Sequence, residues 1–288
     1  MAWIYRGVKM DIEDFVNGVV ENARKNIPRN PEDYVQDGLL YCGKCHTPKQ
    51  GRYECAGKTY EPFILCRCES ERYKADEEAF RERQRHDAIE RRRRAAFPDG
   101  NMREWTFEND DKSNNELSRA ARNYVEHFET FRKMGKGLLL YGSVGTGKTY
   151  ISACIGNALL DKGYTVLMTT FARIENTVFG LKEGKQAYYD SLNNFDLLIL
   201  DDFGVERNTE YKQEVVYTVI DNRNKAGRPL IITSNITVEQ LKNPKSTNDA
   251  RIISRLYQMC HPVPVRGEDR RRQQIKGDYA EIQKLLRV

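Results

Sequence analysis

The stretch Lys136–Leu160, KGLLLYGSVGTGKTYISACIGNALL, decides the fold. Leu138, Leu139, Leu140 and Tyr141 make a short apolar run, which reads as a buried strand of a parallel sheet. Gly142-Ser143-Val144-Gly145-Thr146-Gly147-Lys148-Thr149 follows, and it meets the GxxxxGK[ST] pattern at every defined position. Ile151, Cys154, Ile155, Ala158 and Leu159 then recur at the spacing of an amphipathic helix. The layout has a chemical reason. Glycines let the backbone curl so that its N–H groups face an anion. The helix behind them aims its positive dipole end at the same point. Lys148 can then reach β and γ phosphates, and Thr149 can offer its hydroxyl to Mg²⁺. The alternative is a glycine-rich turn that binds nothing, and the strand before and helix after weigh against it.

Working outward, Phe195–Asp202 is an apolar strand that ends in two carboxylates. Asp201 is placed to hold Mg²⁺, directly or through water. Asp202 is then positioned to orient or deprotonate the attacking water. The plain alternative is an exposed turn after a buried strand. A third strand, Pro229–Thr233, leads into Ser234-Asn235. Parallel sheets place ligands at the C-terminal tips of their strands, so Asn235 can sense the γ-phosphate or the water. It can equally cap a helix beginning near Thr237. From about residue 98 onward, helices alternate with short apolar strands, which predicts an α/β domain with a parallel sheet over 98–288.

The order Gly142–Thr149, Asp201-Asp202, Ser234-Asn235, then Asp249-Ala250-Arg251-Ile252-Ile253-Ser254-Arg255-Leu256 resembles an AAA+ ATPase. Within that superfamily it is most similar to the DnaC-type helicase loaders and their DnaA and IstB relatives, over roughly residues 98–275. The resemblance implies an AAA+ P-loop core, ATP as ligand, and a ring or spiral homo-oligomer. It implies that Arg255, in the "SRL" segment, is an arginine finger acting on a neighbour's nucleotide, with Arg251 as its competitor. It also implies a second sensor arginine at Arg271, in the G-x-x-x-R segment that starts at Gly267; Arg270 and Arg272 sit beside it. The few residues left before Val288 imply a reduced lid. Asp202 stands where the superfamily more often has glutamate, which implies slow, switch-like hydrolysis.

The N-terminal part, residues 1–97, is read as a partner-binding region. A short helix is expected over about Asp11–Lys25, stopped by Ile27–Pro31. Five of the seven cysteines fall between Cys42 and Cys68. Cys42-Gly43-Lys44-Cys45 and Cys66-Arg67-Cys68 are two short thiolate pairs about twenty residues apart, a spacing that suits a closed tetrahedral Zn²⁺ site within residues 40–70. Cys55 and His46 are substitute ligands, and free cysteines or a redox pair are the competing reading. Glu71–Phe97 is helix-forming and charged, with apolar residues too sparse for a buried face. Its Arg91–Arg94 run suits a linker, a docking helix or a DNA contact.

The 288 residues carry 47 Lys and Arg against 42 Asp and Glu, a net charge of +5. That balance permits a nucleic-acid partner without requiring one. A mean hydropathy of -0.73, with 39% hydrophobic residues, is polar but not disordered. No apolar run nears a membrane span of ~20 residues, and the first residues lack a secretory pattern. The expectation is a cytoplasmic protein with no membrane partner. Three functions compete. The first is an ATP-hydrolysing replicative helicase loader that binds the helicase and single-stranded DNA. The second is an IstB-like transposition helper acting on duplex DNA. The third is a chaperone or regulatory module. The cysteine module favours the first. For Thr169–Arg173 the expectation is a DNA contact, with Phe171 stacking on a base and Arg173 on phosphate; Phe171 as a core residue is the alternative.

Overall fold

The computed structural model describes residues 3–5, 8–10, 30–55, 57–97, 99–110, 114–204, 210–244, 246–270, 279 and 282–286. The chain divides into two units, Met1–Arg85 and His86–Val288. The helix expected over Asp11–Lys25 lies outside the described residues.

The first unit is built of hairpins: β1 (Trp3–Tyr5) with β2 (Val8–Met10), β3 (Tyr34–Gln36) with β4 (Leu39–Tyr41), and β5 (Tyr53–Cys55) with β6 (Lys58–Tyr60). Asp37 and Gly38 close the second hairpin, both in the left-handed region at φ 52° and 79°. Asp-Gly is the pair that such a two-residue turn favours. Helix α1 (Arg67–Ala96) begins in this unit and ends in the next, so the division falls inside the charged helix rather than at the 97/98 junction expected from composition.

In the second unit α1 ends in Ala96, and with Phe97 beyond it both are fully buried. Phe97 packs so close to the next core helix that a Cβ at Gly156 would lie 2.9 Å from its ring. Arg93 pairs with Glu90 and with Asp161, and Arg92 donates to the Gly163 carbonyl. Two of the four arginines in the Arg91–Arg94 run are thus spent on seating the helix.

After α2 (Asn115–Glu126) and α3 (Phe128–Met134) come β7 (Gly137–Tyr141), α4 (Lys148–Asp161), β8 (Val166–Thr170), α5 (Phe171–Gly180) and α6 (Lys185–Ser191). They are followed by β9 (Leu197–Phe203), α7 (Glu210–Lys225), β10 (Leu230–Ser234), α8 (Val238–Lys242), α9 (Thr247–Met259) and β11 (Cys260–Pro264). The five strands form one sheet in the order β11-β7-β10-β9-β8, and every neighbouring pair is parallel. Successive side chains of a strand face opposite sides. Leu138, Leu140, Leu197 and Ile199 accordingly join one core with α2 and α4, while Leu139, Leu198 and Leu200 join another with α5, α7 and α9. The result is a three-layer α/β/α unit.

Two expectations need correction. The helix after the glycine loop is not amphipathic: Ile151–Asn157, Leu159 and Leu160 are all buried, because the sheet, α2 and the Met102–Trp105 segment enclose it. The Asn157 amide donates to the Met102 and Trp105 carbonyls at 2.9 Å each. Strand β11 escapes sequence reading because CHPVP holds two prolines. It is an edge strand, where a missing N–H is tolerated. Among the described residues no helix is long and apolar enough to cross a membrane.

Candidate nucleotide and metal sites

The sheet puts β7 between β11 and β10, so the loop after β7 opens at the C-terminal ends of three neighbouring strands. A cavity of about 860 Å³ lies there. The loop residues Val144, Gly145, Thr146, Gly147, Lys148 and Thr149 line it, and Asp201, Asp202 and Asn235 close it from the neighbouring strands. Gly142 and Ser143 lead into the loop. At φ 78° and 90°, Gly145 and Gly147 hold a curl that side-chain-bearing residues resist. A Cβ at Gly145 would overlap the Asp269 carboxylate. Thr146 Oγ1 donates to the Ser143 carbonyl at 2.9 Å, and the buried Lys148 amine donates to the carbonyls of Gly142 and Ser143 at 3.0 and 2.6 Å. Loop amides, one lysine amine, one threonine hydroxyl and a buried carboxylate are the donor set that a nucleotide triphosphate with Mg²⁺ requires.

Asp201 is buried and Asp202 exposed. Burial raises the Asp201 pKa above the ordinary carboxylate value; hydrogen bonds from Thr233 and Thr149 and the Lys148 charge pull the other way. Asn235 faces the cavity, while the cap of α8 is Thr237, whose hydroxyl accepts the Gln240 N–H in a capping box. The capping alternative for Asn235 is therefore set aside. Arg271 lies outside the described residues. Its neighbour Arg270 lines the cavity, donates its N–H to the Gly145 carbonyl at 3.0 Å, and has its guanidinium 3.9 Å from the Asp110 carboxylate.

Arg255 stands apart from this cavity. It is partly exposed on α9, 3.3 Å from an Asp221 carboxylate oxygen, and donates to Gln258. Arg251 lines a separate small cavity with Gln213, Glu214, Tyr217 and Asn248. The base-stacking expectation for Phe171 is wrong: the ring is 1% exposed and packs on Phe203 with centroids 5.7 Å apart. The residue opens α5, an amphipathic helix that turns its apolar side to the sheet. Arg173 lines the nucleotide cavity instead, paired with Asp99 at 3.1 Å.

In the first unit, the sulfurs of Cys42, Cys45, Cys66 and Cys68 all lie within 4.8 Å of one another. Four thiolates at ~2.3 Å from Zn²⁺ would sit about 3.8 Å apart in a tetrahedron. Cys42 and Cys68 stand at 3.7 Å and Cys66 and Cys68 at 3.3 Å, so the set fits a structural Zn²⁺. Thr47 beside Cys45 holds that thiol down at about 5, while burial pushes Cys66 up. Cys55 is exposed on its hairpin, and the His46 ring is 3.3 Å from the Tyr34 hydroxyl; neither joins the cluster. The two remaining cysteines, Cys154 and Cys260, are core residues whose thiols burial pushes up to about 12.

Sequence reading missed what holds the knuckle. Lys49, almost wholly buried, bridges Asp33 at 2.9 Å and Glu69 at 3.0 Å. Asp33 accepts the Gly43 N–H and Glu69 accepts the Cys66 N–H, so one lysine orients both cysteine pairs. Isolated charged residues give no local signal of such a triad. Gly43 is required by close approach, since a Cβ there would overlap the Glu32 backbone.

This sheet order, with this loop and these carboxylates, defines an ATP-binding P-loop protein of the AAA+ kind. The family model described as "IstB-like ATP binding protein" matches residues 73–277, and the chain belongs to that family. The replicative helicase loader DnaC of Escherichia coli K12 is 31% identical over 131 residues, 44% of this chain and 52% of that protein. The replicative helicase loader DnaI of Bacillus subtilis 168 is 32% identical over 152 residues, 48% of each. The chain thus spans about half the length of these curated relatives. A crystal structure of DnaI superposes with a TM-score of 0.50 at 24% identity, covering 59% of this chain and 96% of that one, a likeness of fold.

Proposed function

We propose that the protein is an ATP-hydrolysing loader of a replicative DNA helicase. The observation that carries the reading is the four-cysteine cluster, in a different unit of the same chain from the IstB-like ATP-binding core. A loader needs one part to grip its helicase and another to respond to nucleotide. The likeness to DnaC and DnaI supports the same reading.

In this account Gly142–Thr149 cradle the phosphates, Lys148 neutralises the outer ones, and Thr149 with Asp201 hold Mg²⁺. Bound Mg²⁺ supplies charge stabilisation to the transferring phosphoryl group. Asp202 orients or deprotonates the attacking water, and Asn235 fixes its position. The second sensor arginine is Arg271, as the resemblance implies, or its neighbour Arg270, which lines the cavity. Arg255 serves a neighbouring copy, which makes the active form a ring or spiral. Zn²⁺ closes the Cys42, Cys45, Cys66 and Cys68 module, whose surface docks the helicase. Asp202 is one methylene shorter than glutamate, which suits slow turnover and a switch. The setting is DNA replication in the cytoplasm.

The competing reading is a transposition helper on duplex DNA. Fluorescence anisotropy with a single-stranded oligonucleotide and with its duplex, each with and without ATP, separates the two. The loader reading predicts ATP-dependent preference for the single strand. Preference for duplex would overturn it.

A further inference from the structure

We propose that Thr233 is a positioning residue of the nucleotide site: its buried hydroxyl, bonded at once to the Asp201 carboxylate and the Asp202 amide, sets where both carboxylates stand. The proposal rests on the reading of the cavity as an ATP site. Thr233 is fully buried on β10 and does not line the cavity, so it acts through its neighbours.

The pairing of β9 with β10 breaks at this point. Ile232 lies opposite Leu200, but Ser234 lies opposite Phe203. Two residues of β9, Asp201 and Asp202, therefore face the single residue Thr233, which is a β-bulge. A bulge leaves one residue out of the ladder and re-aims its side chain. Here that residue is Asp202, left-handed at φ 59° and exposed between buried Asp201 and Phe203. Aspartate tolerates that conformation better than most residues. The amide that the bulge takes out of the ladder still needs an acceptor. Thr233 Oγ1 supplies it at 2.9 Å and donates its own proton to Asp201 Oδ1 at 2.5 Å. One hydroxyl thus fixes the metal-side carboxylate and the water-side backbone together.

The next residue extends the clamp. Ser234 Oγ donates to the Phe203 carbonyl at 2.7 Å and accepts the Ile236 N–H at 3.1 Å. The Ser234 carbonyl accepts the Gly142 N–H at 3.2 Å, at the start of the phosphate loop. Asn235 follows at the cavity wall. Two consecutive hydroxyl residues thereby tie the carboxylate strand, the phosphate loop and the third wall of the site. Valine has the shape of threonine and offers neither bond; serine keeps the hydroxyl.

Three readouts on Thr233→Val and Thr233→Ser test this. The first is hydrogen exchange of residues 200–204 in nucleotide-free protein. The second is the Mg²⁺ concentration that half-saturates tightening of a fluorescent ATP analogue. The third is steady-state ATP turnover. Thr233→Val is expected to speed exchange at Asp202, raise the Mg²⁺ requirement, and lower turnover by about 10- to 100-fold with metal-free nucleotide affinity unchanged. Thr233→Ser is expected to restore most of each. Wild-type exchange and Mg²⁺ requirement in Thr233→Val would overturn the proposal, as would equal losses in both variants. If the wild-type protein bound ATP without turning it over, the hydrolysis reading would fall, while exchange and the Mg²⁺ titration would still decide the role of Thr233. Should Thr233→Val not fold, Thr233→Ala set against Thr233→Ser makes the same comparison.

Discussion

Removing Zn²⁺ is expected to unfold residues 30–66 outright while the ATP-binding unit stays folded. Among the described residues of 30–85, only Cys42, Lys49 and Cys66 are buried as whole residues. Two of these are proposed metal ligands, and the third orients them. A fully buried Leu or Phe contributes ~1.5–3 kcal/mol, and the described residues of 30–66 bury none. A structural Zn²⁺ in a small module contributes about 10–16 kcal/mol, comparable with the whole stability of a domain, ~5–15 kcal/mol. Its loss therefore leaves no folded remainder. The second unit keeps two packed cores on the faces of its sheet. The assay is a chelator titration followed by zinc release, limited proteolysis and calorimetry. One Zn²⁺ per chain should leave as cleavage appears within 30–66, with the main melting transition unmoved; Cys66→Ser should reproduce the effect. Zinc-free protein with undiminished protease resistance over 30–66 would refute the reasoning.

Three further outcomes follow from the nucleotide site. Lys148→Ala, which removes the amine now held by the Gly142 and Ser143 carbonyls, should weaken ATP by about 100-fold or more, roughly 3 kcal/mol, by titration calorimetry; wild-type affinity would remove the site assignment. Arg255→Ala should keep nucleotide affinity and lower turnover by about 10³-fold, and unchanged turnover would shift the finger role to Arg251. Asp201 has a folded-state pKa raised by burial, so its contribution to stability is complete below the unfolded value and is lost as pH rises through the folded one. Asp201→Asn should accordingly raise the melting temperature of nucleotide-free protein at pH 7, with the gain shrinking toward the acidic carboxylate range; a gain independent of pH would contradict the burial argument.

The parts that were legible in the sequence are those where chemistry and local pattern coincide. Gly142–Thr149 combine glycines, a lysine and a hydroxyl within eight residues, between a strand and a helix. Asp201-Asp202 end an apolar run, and the cysteines come in two close pairs. The parts that were not legible depend on tertiary contact. For Phe171 the sequence leaves base stacking and core packing open, and only its contact with Phe203 in the fold decides for the core. Arg270 and Arg271 are indistinguishable in a run of three arginines, and it takes the fold to show that Arg270 lines the cavity. Strand β11 hides behind Pro262 and Pro264, and the Asp33–Lys49–Glu69 triad spans 37 positions with no periodicity. The bulge at Asp202 is invisible because bulges are set by pairing with a neighbour, here β10.

The central claim is that ATP drives delivery of a helicase onto DNA. The most direct measurement mixes the protein with its host's replicative helicase, ATP and closed circular single-stranded DNA, and counts the helicase recovered on the circle. The account predicts transfer that requires ATP and is lost in Lys148→Ala. Intact ATP hydrolysis with no helicase complex and no transfer would contradict it.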